Sequence, residues 1–568
     1  MEGKVSMPDR VRIFALGGLD EEGRDCYVVE VNDDIFVLDA GMSLPDKTLP
    51  GVDLLIPNFE YLIKNKNKIK GYFITHGHDE AMGALKYFYD FAPAPVYCTQ
   101  TTAQYLVSQS RLYRIKPNFK IQVVKPTDKV FINNREVRLF QTCHNIANSF
   151  GVAIHTDRGY VVYTSDFIVD YTVKDESFKF DLKALSQIAE EDTLILLSES
   201  KTADSDGYCA PRHRSRKKIE KYFKEDKRLF ISCFWENVFR IKEIVDLCIE
   251  HKKKIYFYNE YTSIVIRFMM ESNGLNLSKD YIVASEDLLR VRRDELVVLM
   301  LGHGGEIYEE MTKLSMGRNE DRRLILDEND IFIVGSIATP TLEVLATRCI
   351  DNLYRSGCEV VWLKKKELSS MHARKDDLKF FLSLLKPKYY LPVRGSYTNM
   401  IENAKLALTM GIGLNHMNVF IMDNGMQLLF DDRSPRPRML PYNEEEFGIT
   451  PIMVDGTGIS KVGAEIIEDR RKLGIDGVVV IAGTFSKSQK KLVAGPDCQM
   501  RGFVYVKEAE PLLKTVNQIF IEEALKVLEE EHQNIAEAEK VIKDRTKKFI
   551  KRENGREPLV IASIFLTD

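Results

Sequence analysis

Two histidines separated by one glycine, His76 and His78, follow a strand-like run in KGYFITHGHDEAMGAL. Neutral imidazoles at that spacing, just past a strand, can turn toward one divalent ion, and zinc and other first-row metals accept such ligands. His144 in QTCHNIANS and Asp166 in YTSDF stand at the ends of further strand-like runs, so three histidines and one carboxylate make a site for a single ion. A pair of ions that clamps an in-line phosphoryl displacement needs more donors. After the histidine pair the chain reads Asp79, Glu80 and Ala81, and alanine has no donor atom.

The elements that must position these groups are short β-branched runs: IFVLDAGM, GYFITHGH, APVYCT, REVRLFQTCH, GYVVYTSDF and TLILLSES. Several end on a residue capable of chemistry, namely Asp39, His76, His144, Asp166 and Glu199. That pattern is expected of a sheet whose strand ends meet at one shared site, though a set of ordinary turn residues would read the same way. From about 207 to 365, helical and extended runs alternate (NVFRIKEIVDLCIEHKK, KIYFYN), as in an inserted α/β unit, and 376–396 reads as a helix, a proline-delimited turn and a strand. The stretch 431–450, DDRSPRPRMLPYNEEEFGIT, reads as a linker. Beyond it GVVVIAGTF, RGFVYVKE, a helical stretch over 512–549 and PLVIASIFLT make a small α/β domain. The expected division is therefore 1–206 and 366–430 as two parts of one domain, 207–365 as its insertion, 431–450 as linker and 451–568 as the last domain.

With 568 residues the chain exceeds the size at which single cores stop growing, and 44% apolar with 29% charged residues is ordinary for a folded globular protein. No signal-peptide pattern or long apolar run is present, which predicts a cytoplasmic protein with no membrane partner. Nine cysteines without a C-x-x-C pair indicate neither a disulfide framework nor a zinc–thiolate site. A net charge of −4 excludes nucleic-acid binding through bulk positive charge, so any such binding must be local. The basic run 211–228 could supply it or could be a solvated helix face.

The motifs VLDAGM, HGHDEA, TCHNIANSFG, TSDF, LLSES, SSMHARKDDLKFFLSLLKPKYYLPVRGSY and DGVVVIAG…AGPDCQMRGFVYVKE, in that order, resemble bacterial ribonuclease J across nearly the whole chain. The resemblance implies an αββα metallo-β-lactamase sandwich with an inserted β-CASP domain and a small C-terminal α/β domain. It also implies cleavage of RNA by two-metal catalysis, both 5′-to-3′ from 5′-monophosphate ends and internally, in mRNA decay and rRNA maturation.

Transferred position by position, the resemblance makes His76, His78, His144 and Asp166 metal ligands. Asp39 would accept an imidazole N–H, and Glu80 stands where an aspartate is expected, as a ligand or just behind one. Glu199 and His372 would support catalysis, and Leu368, Ser369, Ser370, Met371 and His372 would form the loop that grips RNA phosphate. Met371 takes the place of a glycine in that loop, and two metal-binding histidines of the family's pattern are lost: Ala81 replaces the last histidine of H-x-H-x-D-H, and Arg394 in PVRG replaces another. A guanidinium does not deprotonate to coordinate metal, so one divalent ion, zinc or manganese, is expected, with the second weak or absent. Arg394 is expected to place a fixed positive charge where the second cation would sit, repelling it and contacting the scissile phosphate instead, with a surface arginine without a role as the alternative.

This pattern is similar to the second, active-site-degenerate ribonuclease J paralogue of some Gram-positive bacteria. It implies RNA and the active paralogue as partners, in a homo- or hetero-oligomer. Three functions remain open: a weak one-metal ribonuclease, a silent RNA-binding subunit that modulates the active paralogue, and a small-molecule hydrolase on the same scaffold, against which the insertion and the C-terminal domain speak. His303 in LGHGGE and Ser336 are weaker candidates, the first as a turn near the RNA path and the second as a strand-end cap or cleft residue.

Overall fold

The computed structural model describes residues 8–45, 48–272, 274–455, 458–459, 464–502, 509–529 and 534–568. They form two compact units, one of residues 1–43 and 56–451 and one of 44–55 and 452–568.

In the first unit, two sheets face each other. One has eight strands, in the spatial order 438–440, 427–430, 11–17, 26–31, 34–38, 69–73, 95–98 and 120–123. The other has six, in the order 389–393, 193–199, 160–163, 150–154, 135–141 and 129–132. Period-2 alternation decides what lies between them: Ile13, Val29, Phe36 and Phe73 from one sheet meet Val137, Leu139, Val152, Ile195 and Leu391 from the other in one buried cluster. The opposite face of the six-stranded sheet, with Phe140, Val162 and Leu196, packs under Leu378, Phe381 and Leu382 of the helix Lys375–Leu385. That helix buries one stripe of its surface, and Lys386 ends it in a left-handed turn at φ +41°.

Thr193–Glu199 and Tyr389–Val393 are adjacent parallel strands with Glu199 opposite Val393, yet nearly 190 residues separate them in the chain. The excursion contains a five-stranded, all-parallel sheet in the order 254–257, 296–302, 228–234, 330–334 and 359–362. Its inner strands Leu296–Gly302 and Asp330–Val334 are buried along their whole length, while the edge strands 254–257 and 359–362 are partly exposed.

The stretch 431–450 is not a linker. Arg438–Leu440 pairs with Gln427–Phe430 as the edge of the eight-stranded sheet, Phe447 is buried against Phe14 and Tyr61, and Glu446 pairs with Arg12. Its prolines and charges are compatible with an edge strand, where one side needs no ladder bonds. The basic run at 211–228 forms only short helical turns, Arg216–Ile219 and Glu220–Lys224, before the strand Arg228–Phe234 begins.

In the second unit, Val478–Ser486 is the centre of a three-stranded sheet, antiparallel to Lys491–Arg501 and parallel to Leu559–Thr567. The helices Ala509–Glu529 and Ile535–Asn554 cover one face through Val516, Phe520, Ala524, Ile542 and Ile550. The strand expected at RGFVYVKE falls largely on residues 503–508, outside the described residues. All nine cysteines are free, and no described helix is long and apolar enough to cross a membrane.

Candidate metal centre

Every strand expected to end in a functional residue does so at the same edge of the two sheets. Asp39 follows Asp34–Leu38, His76 lies just past Ile69–Phe73, His144 past Arg135–Gln141, Asp166 past Tyr160–Tyr163, and Glu199 ends Thr193–Glu199. Three of the turns are tight: Asp39, Ser165 and Arg394 have φ values of 61°, 56° and 56°, a left-handed conformation that costs a non-glycine residue about 1–2 kcal/mol. Strain of this kind persists where surrounding bonds fix the turn.

The loop carrying both histidines is bolted down through its backbone. Asp79, Glu80 and Ala81 accept hydrogen bonds from the N–H groups of Met42 (2.9 Å), Asp25 (3.2 Å) and Ala40 (2.7 Å). Gly41 permits this approach, since a Cβ there would lie 1.5 Å from the Glu80 carbonyl oxygen.

His76, His78 and His144 are buried, with ring centroids 4.8–5.0 Å apart and ring planes crossing at 78–79°. Each ring has one nitrogen directed to a common centre and the other held from behind. Thr75 Oγ1 lies 2.9 Å from His76 Nδ1, the Glu236 carbonyl 3.1 Å from His78 Nε2, and the Met371 carbonyl 2.8 Å from His144 Nδ1. These acceptors leave His76 Nε2, His78 Nδ1 and His144 Nε2 as the inward lone pairs. Asp166 Oδ2 lies 3.6 Å from His76 Nε2 and 3.7 Å from His144 Nε2. His76 Nε2 and Asp166 Oδ1 are buried without a hydrogen-bond partner, and one ligand atom from each of the four residues fits within 4.8 Å of the others. Buried polar atoms are ordinarily satisfied, so this donor set fits one divalent ion. Burial, with the neighbouring histidines, holds His76 well below the usual imidazole range; burial alone also outweighs Asp166 at His144, so both rings stay neutral and ready to coordinate.

Beside this cluster the chemistry changes. Arg394 is 0% exposed, and its Nη2 contacts Asp25 Oδ2 at 2.8 Å and Asp166 Oδ2 at 3.0 Å. Its Nη1 donates to the Tyr163 hydroxyl at 2.8 Å and lies 3.3 Å from Asp39 Oδ2. Lys201 Nζ lies 2.5 Å from Glu80 Oε1 and 3.6 Å from Asp166 Oδ2. Burial alone would raise the Asp166 carboxyl, but Arg394, then Lys201 and His372, hold it well below the usual carboxylate range. Burial wins at Asp25, which is pushed up to about 8, and at Asp39, pushed up to about 6. Glu80, opposed by burial but held by Lys201, falls to about 2.

With that geometry in hand, the chain compares directly with known proteins. The family profile "Ribonuclease J, beta-CASP domain" matches residues 226–353 and "Ribonuclease J C-terminal domain" matches 465–566. Ribonuclease J 2 of Staphylococcus epidermidis is 29% identical over 555 residues, covering 98% of each chain, and Ribonuclease J 2 of Staphylococcus aureus is 28% identical over the same span. The chain thus carries two ribonuclease J domains and is similar to ribonuclease J 2 over nearly its whole length. The five-stranded insertion is the part of the chain that the β-CASP profile matches. A crystal structure of a protein of unknown function from Enterococcus faecalis shares the fold, with a TM-score of 0.52 at 13% identity over 74% of this chain and 100% of that one.

Three expectations from the sequence need correction. Arg394 neither faces a substrate phosphate nor lies on the surface, because its guanidinium is enclosed and engaged by Asp25, Asp39, Asp166 and Tyr163. Asp39 does not bond an imidazole: Thr75 Oγ1 stands between them, donating to Asp39 Oδ1 at 2.9 Å while His76 Nδ1 lies 2.9 Å away. Glu80 is absent from the histidine cluster, since Lys201 engages its carboxylate.

Glu199 and His372 meet, with Nδ1 2.9 Å from Glu199 Oε2, and His372 Nδ1 also lies 3.5 Å from Asp166. Glu199 Oε1 additionally accepts from the N–H groups of Phe167 and Ala373. In the 368–372 loop, Leu368, Ser369 and Met371 are buried, Ser370 is exposed, and Met371 reaches the centre through its carbonyl. Ser336 is buried against Ser232, 3.0 Å away. His303 bonds the Glu236 side chain, and the Glu236 carbonyl is the one behind His78, so the β-CASP insertion holds a residue of the centre. Asp25, Lys201 and Glu236 escaped the sequence reading. Lys201, two residues past Glu199, is the one with a signal that could have been used.

Proposed function

We propose that this chain is a metal-dependent ribonuclease of reduced activity, with a one-ion centre formed by His76, His78, His144 and Asp166. The observation that carries the reading is the convergence of three inward imidazole nitrogens and Asp166, with His76 Nε2 buried and without a hydrogen-bond partner among the described residues. An ion bound there supplies Lewis acidity toward a phosphodiester oxygen and lowers the pKa of water. The chain's own residues do the rest. Thr75, Glu236 and Met371 fix the three rings. Burial and Lys201 lower the pKa of His372, but Asp166 and Glu199 outweigh them and lift it to about 9, so it presents a positive charge to an incoming phosphate at neutral pH.

RNA, preferably with a 5′-monophosphate end, is the substrate that the family resemblance suggests, and the surface leading to the 368–372 loop supports it. Lys364, Lys365 and Lys366 are exposed and directly precede that loop, and exposed Arg212 bonds Ser369 through its carbonyl. Among the described residues none of these four side chains has an acidic partner within ion-pair distance, which suits a run of phosphates. The cellular setting we infer, from the resemblance alone, is cytoplasmic mRNA decay and rRNA maturation beside an active paralogue.

A second reading has its own observation. Ala81 offers no donor, and Lys201 with Arg394 neutralises the carboxylates beside the centre, which suits a catalytically silent, RNA-binding subunit. Purified full-length protein, free of any paralogue, incubated with 5′-monophosphorylated end-labelled RNA and manganese separates the two. Nucleotide release that disappears in His76→Ala, His78→Ala supports the nuclease; equal traces in both, with RNA still bound, overturn it for the silent subunit.

A further inference from the structure

Beside the three histidines, four carboxylates and two cations form one closed cluster. Arg394 Nη2 lies 2.8 Å from Asp25 Oδ2, 3.0 Å from Asp166 Oδ2 and 3.8 Å from Glu80 Oε1, while Nη1 lies 3.3 Å from Asp39 Oδ2. Lys201 Nζ lies 2.5 Å from Glu80 Oε1 and 3.6 Å from Asp166 Oδ2. Both cations thus share the same oxygen of Glu80 and the same oxygen of Asp166. That Asp166 oxygen is also the one turned toward His76 and His144. It joins the histidine centre to a pair of side-chain cations.

We propose that Lys201 and Arg394 act together as a built-in double positive charge in the place where the second ion of a two-ion site would bind, and that either one alone suffices to keep such an ion out. This rests on the one-ion reading above and deepens it. Two unit charges balance the carboxylates as one divalent ion would, and an ion brought among them would meet a fixed ammonium or guanidinium at contact distance. The two residues differ in access. Arg394 has no exposed side-chain surface, whereas Lys201 retains 11%, so Lys201 is the cation of the pair that solvent reaches. Restoring donors at the two positions that depart from the family pattern, Ala81 and Arg394, therefore leaves Lys201 as a sufficient barrier.

The test counts bound ions in the full-length chain, by elemental analysis after manganese loading and desalting and by calorimetric titration, with circular dichroism confirming the fold of each variant. The wild type and the double variant Ala81→His, Arg394→His are expected to bind one ion per chain. Adding Lys201→Ala to that double variant is expected to raise the count to two, and adding Lys201→Arg instead to leave it at one. If the Lys201→Ala triple variant does not fold, Lys201→Gln in the same background, which retains a donor for Glu80, gives the same count. A double variant that already binds two ions overturns the role of Lys201, and a folded triple variant that gains none overturns the proposal as a whole. A wild type that binds no ion overturns the one-ion reading, while the gain of one ion between double and triple variants still decides the cation pair.

Discussion

The two halves of the site share Asp166 and solve opposite problems. On the histidine side, three imidazoles and Asp166 converge on a point, and the buried His76 Nε2 has no hydrogen-bond partner among the described residues. On the carboxylate side, Asp25, Asp39, Glu80 and Asp166 carry their own counter-charges in Lys201 and Arg394. One scaffold edge can thus offer an ion site and an internally neutralised cluster a few ångströms apart. The difference lies in which side chain each strand end presents, while the sheets that aim them are common to both.

The largest expected effect breaks the histidine half. His76→Ala, His78→Ala should abolish ion binding and any manganese-dependent RNA cleavage while leaving the carboxylate half intact, checked by elemental analysis beside the nuclease assay. Breaking the other half should cost stability instead. Arg394→Met leaves buried carboxylates without their guanidinium and is expected to destabilise the fold by about 3–5 kcal/mol, read from urea unfolding, with the ion count unchanged because Lys201 remains.

Between these, Thr75→Val cuts the link from Asp39 to His76 and is expected to weaken ion affinity by roughly 10–100-fold without altering stoichiometry, as for other groups that orient a ligand. An unchanged affinity would mean that packing alone orients His76.

The smallest effect concerns the hold of the insertion on His78. The Glu236 hydrogen bond lifts His303 to about 9 from an ordinary 6.5, a raised folded-state value. Its contribution is therefore fully present below pH 6.5 and lost as pH rises through 9. The pair is partly exposed, so the difference between wild type and His303→Ala should stay within about 1 kcal/mol, and it should shrink from pH 6.5 to 9.5 in denaturant titrations.

Much of this was legible in the chain. Alternating apolar runs placed Asp39, His76, His144, Asp166 and Glu199 at strand ends, because a half-buried strand writes its period and its end into local sequence. The 431–450 stretch misled because proline and charge mark an edge strand and a linker alike, while the burial of Phe447 depends on Phe14 and Tyr61, more than 380 residues away in the chain.

By itself the sequence determined the donor types: three imidazoles and a carboxylate at strand ends, and at Ala81 and Arg394 two residues that cannot bind metal. Only the tertiary structure decided what Arg394 does. Its direction depends on a left-handed turn at the end of Tyr389–Val393, and its partners Asp25, Asp39, and Tyr163 with Asp166 come from three other segments of the chain. Lys201 became visible for the same reason. A buried charge is defined by the oppositely charged groups that surround it, and those are brought together by the facing of two sheets rather than by neighbours in sequence.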